Sequence, residues 1–374
     1  MPSPKTHEYY IRQTLKLARK GVGKTKTNPL VGAILVRHTP NGDQIIGRGY
    51  HTGYGKPHAE VEAVRDAQRR GVTDFKNTIL YVNLEPCCHT GKTPPCTSLI
   101  LQEKIPRVVF GIKDPFPAVA GKGAALLKKN GVRVEWGIAE SECRIENRFF
   151  LKHVETGLPW ITIKTAQTLD GKTADGFGAS KWITNEKSRR EVHRLRAGHD
   201  AILVGAQTVM ADDPQLTVRG VHGSSPRRVI VDGRLRSPLT ARVFTDAGAS
   251  ETIVITTLGA NKHKKRQLAS LGVTVVEMSS VRNRIAMRSI FRTLLRKFQV
   301  ASVFVEGGAD IHGQILNAGL CDEIHVFTAA KILGHGKSSF DGLRVKRINN
   351  AVVLAEPRVR ILDSDIWISA RWQR

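Results

Sequence analysis

Three residue types recur within forty positions of one another in a pattern that suits metal-assisted hydrolysis: His58-Ala-Glu60, then Pro86-Cys87, then Cys96. One histidine and two cysteines make a zinc ligand set that leaves a fourth position open. Zinc lowers the pKa of a water held there toward neutrality, so hydroxide becomes available as a nucleophile. Glu60, two residues from the histidine, need not bind the metal and is placed to carry protons. Deaminases acting on nitrogen heterocycles combine these parts, with the glutamate as general acid and base. The short form of that motif separates its cysteines by two residues, whereas eight, Cys88-His-Thr-Gly-Lys-Thr-Pro-Pro95, lie between Cys87 and Cys96. Cys88 and His89 are rival ligands. Cys87 is preferred because Pro86 sets it at the end of the apolar run Thr78–Leu84, and Cys96 precedes an expected helix whose N-terminus favours a thiolate.

These residues need rigid elements to bring them together, and the alternation of apolar runs with helical patterns supplies an α/β framework. In the first half, strands are expected at 31–36, 45–50, 78–84, 107–112 and 132–137, with helices at 59–70, 95–104 and 122–130. Pro106 and Gly131 stop the last two helices. His58 and Glu60 then start a helix, and Cys87 and Cys96 meet them from a neighbouring strand and helix. Around residues 143–159 the alternation gives way to a charged helical connector ending at Gly157 and Pro159. A metal domain is therefore expected over 1–146, a linker over 147–158 and a second α/β domain over 159–374. That domain has strands at 160–165, 201–205, 228–231, 252–256, 273–277, 302–306 and 323–328. Its last two segments, 358–362 and 365–371, have no helix between them and suggest an antiparallel edge.

With 374 residues the chain can build two cores of ordinary size. Five cysteines are few and odd in number, which disfavours a disulfide framework and suits a reducing compartment. The start, Met1-Pro-Ser-Pro-Lys-Thr-His-Glu8, lacks a signal-peptide core, and no apolar stretch is long enough to span a bilayer. A cytoplasmic protein with no membrane partner is expected. The net charge of +25 raises nucleic acid as a partner. However, the charge is spread over both halves, and its densest runs, at 187–196 and 262–266, lack the interleaved aromatics of a single-strand platform. A solvated basic surface, or a field for a phosphorylated small substrate, fits that distribution as well. There is no internal repeat or low-complexity tract.

In the second half, Val303-Phe-Val-Glu-Gly-Gly-Ala-Asp-Ile-His312 runs from a strand through a Gly-Gly turn toward a helix at 313–318, where backbone amides can approach a phosphate. It is not Gly-x-Gly-x-x-Gly, so the usual dinucleotide fingerprint is absent. Ser180-Lys-Trp-Ile-Thr184 and Gly205–Pro214 fall at positions where open α/β sheets place ligands, and Trp182 offers a face for ring stacking.

Together with Asn28–Ala33, Gly49–Glu60, Glu85–Cys96, Lys113-Asp-Pro115, Lys164–Lys172, His193–Ala197, Asp200–Arg219 and Val305–Gly308, these segments resemble the bifunctional riboflavin-biosynthesis deaminase-reductases over nearly the whole chain. The long gap between the cysteines is a feature of that family. The resemblance implies a cytidine-deaminase-like three-layer domain followed by a dihydrofolate-reductase-like domain, one zinc ion per chain, NADPH, and a homodimer or higher homo-oligomer. The implied substrate is a diaminopyrimidinone bearing a ribosylamino phosphate, deaminated first and then reduced at the sugar, with no nucleic-acid partner. Glu60 is the implied catalytic residue and His58, Cys87 and Cys96 the ligands. Asn28 and His51 would hold the ring, His89, Lys92 and Thr93 the phosphate, and Asp114 the sugar. NADPH would meet Lys164, Ala166, Trp182, Thr208, Asp212, Gly307 and Gly308, and the second substrate Ser180, Arg196, Leu216, Arg219 and Glu306.

The sequence departs from the family in three places. Phe116 replaces a frequent asparagine after the Lys-Asp-Pro turn, Cys88 stands where serine is common, and Leu158-Pro-Trp160 replaces a more usual Arg-Pro. Two other readings compete. One is a zinc deaminase of a nucleoside or RNA base with a basic C-terminal binding domain, marked by salt-dependent RNA affinity without NADPH binding. The other is a zinc-stabilised structural protein, in which Glu60→Gln changes no activity.

Overall fold

The computed structural model describes residues 6–40, 42–91, 93–116, 119–282 and 284–372, apart from the Ser250 side chain. It divides into two compact units, Met1–Gly157 and Leu158–Arg374. The elements of the first unit are α1 (His7–Ala18), β1 (Gly32–Thr39), β2 (Gly42–Tyr50), α2 (Ala59–Arg69), β3 (Thr78–Leu84), α3 (Cys96–Gln102), β4 (Arg107–Ile112), α4 (Lys122–Lys129), β5 (Arg133–Trp136), α5 (Glu140–Glu146) and α6 (Arg148–Thr156).

Its five-stranded sheet has the order β2-β1-β3-β4-β5, with β1 antiparallel to both neighbours and β3, β4 and β5 parallel. Every residue of β3 is buried, as a central strand covered on both faces requires. Successive side chains of a strand point to opposite faces. Thus Leu80 and Val82 enter one core with Ala63, Ile100 and Leu127, while Ile79 and Tyr81 enter the other with Ile11, Leu15, Cys143 and Leu151. The result is a three-layer sandwich.

Alanines at 59, 63 and 67, four residues apart, give α2 a smooth buried stripe. It lies so close to β2 that a Cβ on Gly47 or Gly49 would sit 2.2 Å from the carbonyl oxygen of Ala63 or Ala59. This contact fixes the first turn of α2, and with it His58 and Glu60, above the sheet.

The second unit contains β6 (Trp160–Thr168), β7 (Lys172–Ala174), α7 (Glu186–Ala197), β8 (Ala201–Gly205), α8 (Ala206–Asp212), β9 (Arg227–Val231), α9 (Arg242–Thr245), β10 (Thr252–Thr257), α10 (Lys262–Ser270), β11 (Thr274–Met278), α11 (Met287–Phe298), β12 (Ser302–Val305), α12 (Ala309–Asn317), β13 (Glu323–Ala329), β14 (Lys337–Ser338), β15 (Leu354–Leu362) and β16 (Asp365–Trp372). Its main sheet has the order β11-β10-β9-β8-β12-β6-β13-β16-β15. The strands from β11 to β13 in that order are parallel, and β16 and β15 add the antiparallel edge expected from the closing segments. After β8 the chain winds outward to β11, then returns to insert β12 between β8 and β6. The carboxyl ends of these three strands therefore border the crevice where such sheets take ligands.

Two expectations change. Residues 147–158 are not a free linker. Asn147 is 2 % exposed, α6 buries Leu151 in the first unit's core, and the units divide after Gly157. The helix expected at 313–318 begins instead at Ala309, capped by Gly308, so its N-terminus lies directly at the Gly-Gly turn.

Candidate active site

Three elements deliver the metal-competent group. His58 caps the N-terminus of α2, Cys87 follows β3, and Cys96 is the first residue of α3. His58 Nδ1 lies 3.3 Å from Cys96 Sγ and 3.4 Å from Cys87 Sγ, and the three ligand atoms fall within 4.8 Å of one another. A tetrahedral zinc site spaces such atoms about 3.6 Å (N to S) to 3.8 Å (S to S) apart, so the donor set fits that ion in type and spacing. The metal-facing nitrogen is Nδ1, because Nε2 is directed at Thr93 Oγ1, 3.3 Å away. A second contact of that kind fixes the tautomer and orientation of a liganding imidazole. Among the described residues neither rival, Cys88 nor His89, joins this group.

One of the two sulfurs is prepared for a cation. The hydrogen bond from Cys96 and the contact with His58 outweigh burial and hold the Cys87 thiol down to about 4, while the same bond and burial push the Cys96 thiol up. Glu60 is 3 % exposed. Burial is the main force raising its carboxyl above the ordinary range, with the Cys87 thiolate adding to the rise and His58 opposing it. A carboxyl shifted in that direction keeps a proton more readily than an exposed one.

His58, Cys87 and Glu60 border a cavity of about 590 Å³ that also meets Asn28, His51, His89, Thr93 and Asp114, while Cys96 is fully buried. Lys92 lies outside the described residues. His51 Nδ1 donates to Pro57 O at 3.1 Å, so its Nε2 accepts from the Asn28 amide at 3.2 Å. Asn28 Oδ1 is thereby left as an acceptor. Burial lowers the His51 pKa, which keeps this neutral tautomer. Burial raises the Asp114 carboxyl to about 6, against the opposing bond from Phe116 N–H.

Sequence reasoning missed several supports of this site. Glu85 accepts N–H groups of Asp114 (3.2 Å), Gly121 (2.9 Å) and Ala124 (2.9 Å), which ties the Asp114 loop to the start of α4. Phe150, His153 and Val154, from the stretch expected as linker, form part of the cavity wall. Their i, i+3, i+4 spacing on α6 was the available signal. Phe116 also borders the cavity, its ring centroid 5.8 Å from that of His89.

In the second unit, Glu306 follows β12 and binds Arg196 of α7 through two bonds, Oε1 to Nε at 2.5 Å and Oε2 to Nη2 at 3.0 Å. Lys164 of β6 approaches the same carboxylate at 3.5 Å. Burial alone would raise the Glu306 carboxyl, but the two cations outweigh it and hold it at about 2. Ser180 Oγ donates to Asp212 at 3.2 Å, and Leu216 is buried with a left-handed backbone, φ 57°. Arg219 reaches Gln215 and Thr217 with its side chain, and its backbone N–H donates to His193 Nδ1 at 3.3 Å. His193, also missed from sequence, is pulled down to about 4 by burial and by Arg196 and Arg219.

The turn before α12 is tight at Gly307 and open at Gly308. A Cβ on Gly307 would come within 2.9 Å of Ile311 Cβ, and one on Gly308 would fill the space before Thr208 Oγ1, 4.0 Å away. This open backbone, with Thr208 facing it and Ala166 on neighbouring β6, fits a pyrophosphate-bearing cofactor at the helix N-terminus. Trp182 is 65 % exposed beneath the Arg189 guanidinium, 4.5 Å from its ring centre, and so presents a ring face outside the core.

Comparison with known proteins places both units. The model of the cytidine and deoxycytidylate deaminase zinc-binding region matches residues 4–112, and that of the RibD C-terminal domain matches residues 159–366. Riboflavin biosynthesis protein RibD of Bacillus amyloliquefaciens is 43% identical over 328 residues, 87% of this chain and 85% of that protein. Its counterpart in Aquifex aeolicus is 40% identical over 96% of each. A solved structure from Thermotoga maritima, a diaminohydroxyphosphoribosylaminopyrimidine deaminase/5-amino-6-(5-phosphoribosylamino)uracil reductase, has a TM-score of 0.86 at 36% identity and covers 98% of this chain and 99% of that one. The fold and sites define a bifunctional enzyme, a cytidine-deaminase-like zinc hydrolase joined to a dihydrofolate-reductase-like, NADPH-dependent oxidoreductase. The chain belongs to the RibD family of riboflavin biosynthesis proteins.

Proposed function

We propose that the first unit deaminates 2,5-diamino-6-(5-phosphoribosylamino)pyrimidin-4-one and that the second reduces the resulting phosphoribosylamino uracil to its ribitylamino form. The observation that carries this reading is the His58, Cys87 and Cys96 group, two of whose members border one cavity with buried Glu60. His58, Cys87 and Cys96 would hold a zinc ion, which would supply an activated water beside the ring carbon bearing the 2-amino group. Glu60 would carry one proton of that water to the ring nitrogen and then the second to the leaving amine, so that ammonia departs and oxygen replaces nitrogen. Asn28 Oδ1 accepts from the ring and His51 holds Asn28 in register. His89, Lys92 and Thr93 receive the phosphate and Asp114 the sugar.

Bound in residues 159–374, NADPH would supply a hydride to the sugar carbon bonded to nitrogen, with the bond from that carbon to the ring oxygen broken and the oxygen taking a proton from solvent. Lys164, Ala166, Trp182, Thr208, Asp212, Gly307 and Gly308 line its place. Ser180, Leu216 and Glu306 orient the substrate, and the phosphate falls to Arg196 and Arg219, Arg196 through the N–H groups that Glu306 and Thr217 leave over. Fixed by Glu306, Arg196 meets a substrate without first losing side-chain freedom.

The enzyme is proposed to act in the cytoplasm as a homodimer or higher homo-oligomer with no nucleic-acid partner. Its five cysteines are free, and no helix among the described residues is long and apolar enough to cross a membrane. The test is to incubate the purified protein with the diaminopyrimidinone ribosylamino phosphate, with and without NADPH, and to identify products by mass. The deaminated compound is expected without NADPH and the reduced compound with it; absence of both overturns the reading.

A further inference from the structure

Helix α6 lies between the two matched family regions, after residue 112 and before residue 159, and neither assigns it a role. It nevertheless holds the loop that carries Asn28. His153 Nε2 lies 2.8 Å from the carbonyl oxygen of Thr27, which can only accept, so Nε2 carries the proton and donates it. Burial lowers the His153 pKa and keeps the ring neutral.

At the head of the helix, buried Asn147 grips the other end of the same loop with both halves of its amide. Its Oδ1 accepts the N–H of Leu30 at 2.8 Å and its Nδ2 donates to the Leu30 carbonyl at 3.1 Å. Asn83 of β3 donates to the same carbonyl at 2.8 Å. Asn28 thus sits between two anchors, Thr27 and Leu30, that α6 and its capping residue supply. Pro29, between them, has no N–H to offer as another. Phe150, His153 and Val154 then turn one face of α6 onto the cavity.

We propose that α6 is a positioning element of the deaminase site: Asn147 and His153 set the Thr27–Leu30 loop that presents Asn28, and Phe150 and Val154 supply the apolar wall beside the pyrimidine. The inference rests on the reading that Asn28 contacts the ring. It makes the stretch next to the second unit part of the first unit's substrate specificity.

The test uses the full-length, zinc-loaded enzyme. His153→Leu removes the donor, whereas His153→Gln keeps an N–H able to reach Thr27 O. The leucine variant is expected to raise the deaminase KM about tenfold with kcat changed less than about threefold, the scale of one lost hydrogen bond. Glutamine is expected to restore KM to within about threefold of the parent. In the Glu60→Gln background, which does not turn over, the equilibrium Kd for the diaminopyrimidinone phosphate should weaken by the same factor.

Because His153 acts through Asn28, His153→Leu should add little to an Asn28→Ala enzyme. Zinc content and the reductase rate on deaminated substrate should stay at parental values. Should His153→Leu lose zinc, Asn147→Asp takes its place, since it keeps the acceptor for Leu30 N–H, removes the donor to Leu30 O, and should raise KM likewise. Unchanged KM in the variant that retains zinc, or an equal loss with and without Asn28, overturns the inference. A parent enzyme that fails to deaminate overturns the functional reading instead.

Discussion

Glu60 and Glu306 are the same side chain in nearly the same degree of burial, one in the first turn of α2 and 3 % exposed, the other after β12 with 10 % of its side chain exposed. Their protonation runs in opposite directions. Around Glu60 the near groups are two sulfurs and a histidine, and desolvation dominates, so the carboxyl is raised. Around Glu306 a guanidinium and an ammonium lie within 3.5 Å, and the carboxyl is held at about 2. The first is shifted in the direction that lets a carboxyl take up a proton. The second is a permanent charge that holds Arg196 and Lys164 in place. Burial by itself therefore does not identify a proton carrier; the charges that accompany it do.

The largest expected effect comes from removing the exchangeable proton. Glu60→Gln should lower deaminase kcat at least about a thousandfold while zinc content and reduction of the deaminated substrate persist. Chelation of the metal should abolish the same step and spare the other, and metal analysis of the native enzyme should give one zinc per chain. Equal loss of both activities in either experiment would break the contrast between the units.

Glu306→Gln probes the opposite case. It leaves Arg196 and Lys164 without their anion, so the second unit should lose roughly 3 kcal/mol of stability, and the reductase KM should rise with deamination unaffected. Denaturant unfolding and separate assays of the two steps check this.

Acid should distinguish the units more gently. His193 and His312 are both held at about 4, chiefly by burial, so between their ordinary 6.5 and 4 the unfolded chain binds protons that the native one refuses. The stability that these two groups contribute is present above pH 6.5 and falls as pH drops to 4. Glu306 adds a further loss only below about 4.5, toward 2. The melting temperature of the second unit should follow this course, and His312→Phe should flatten its upper part. The smallest effect is expected from Phe116→Asn at the first cavity, which should alter the deaminase KM by no more than about threefold.

Much of the framework was legible because it depends on local pattern. The strands at Thr78–Leu84, Arg107–Ile112 and Ala201–Gly205 appear at the expected residues, since each is a short apolar run closed by a turn or proline. The helix α6 was legible as a helix but not as part of a site, because its spacing of Phe150 and Val154 looks the same against any apolar surface. The start of α12 was misplaced for a related reason. The Gly-Gly turn signals a break, while the helix in fact starts directly behind it, with Ile311 of its first turn close against Gly307.

The sequence by itself determined the residue types of the metal-competent group, the glutamate two positions from its histidine, the α/β alternation and the antiparallel edge, because each is a matter of residue identity and short-range spacing. Tertiary structure decided the rest: that His58 turns Nδ1 to the sulfurs and Nε2 to Thr93, that Phe150, His153 and Val154 wall the first cavity, and that the Glu60 and Glu306 carboxyls shift in opposite directions. Those outcomes depend on desolvation and on partners tens to more than a hundred positions away, and fields of that kind have no local signature in the chain.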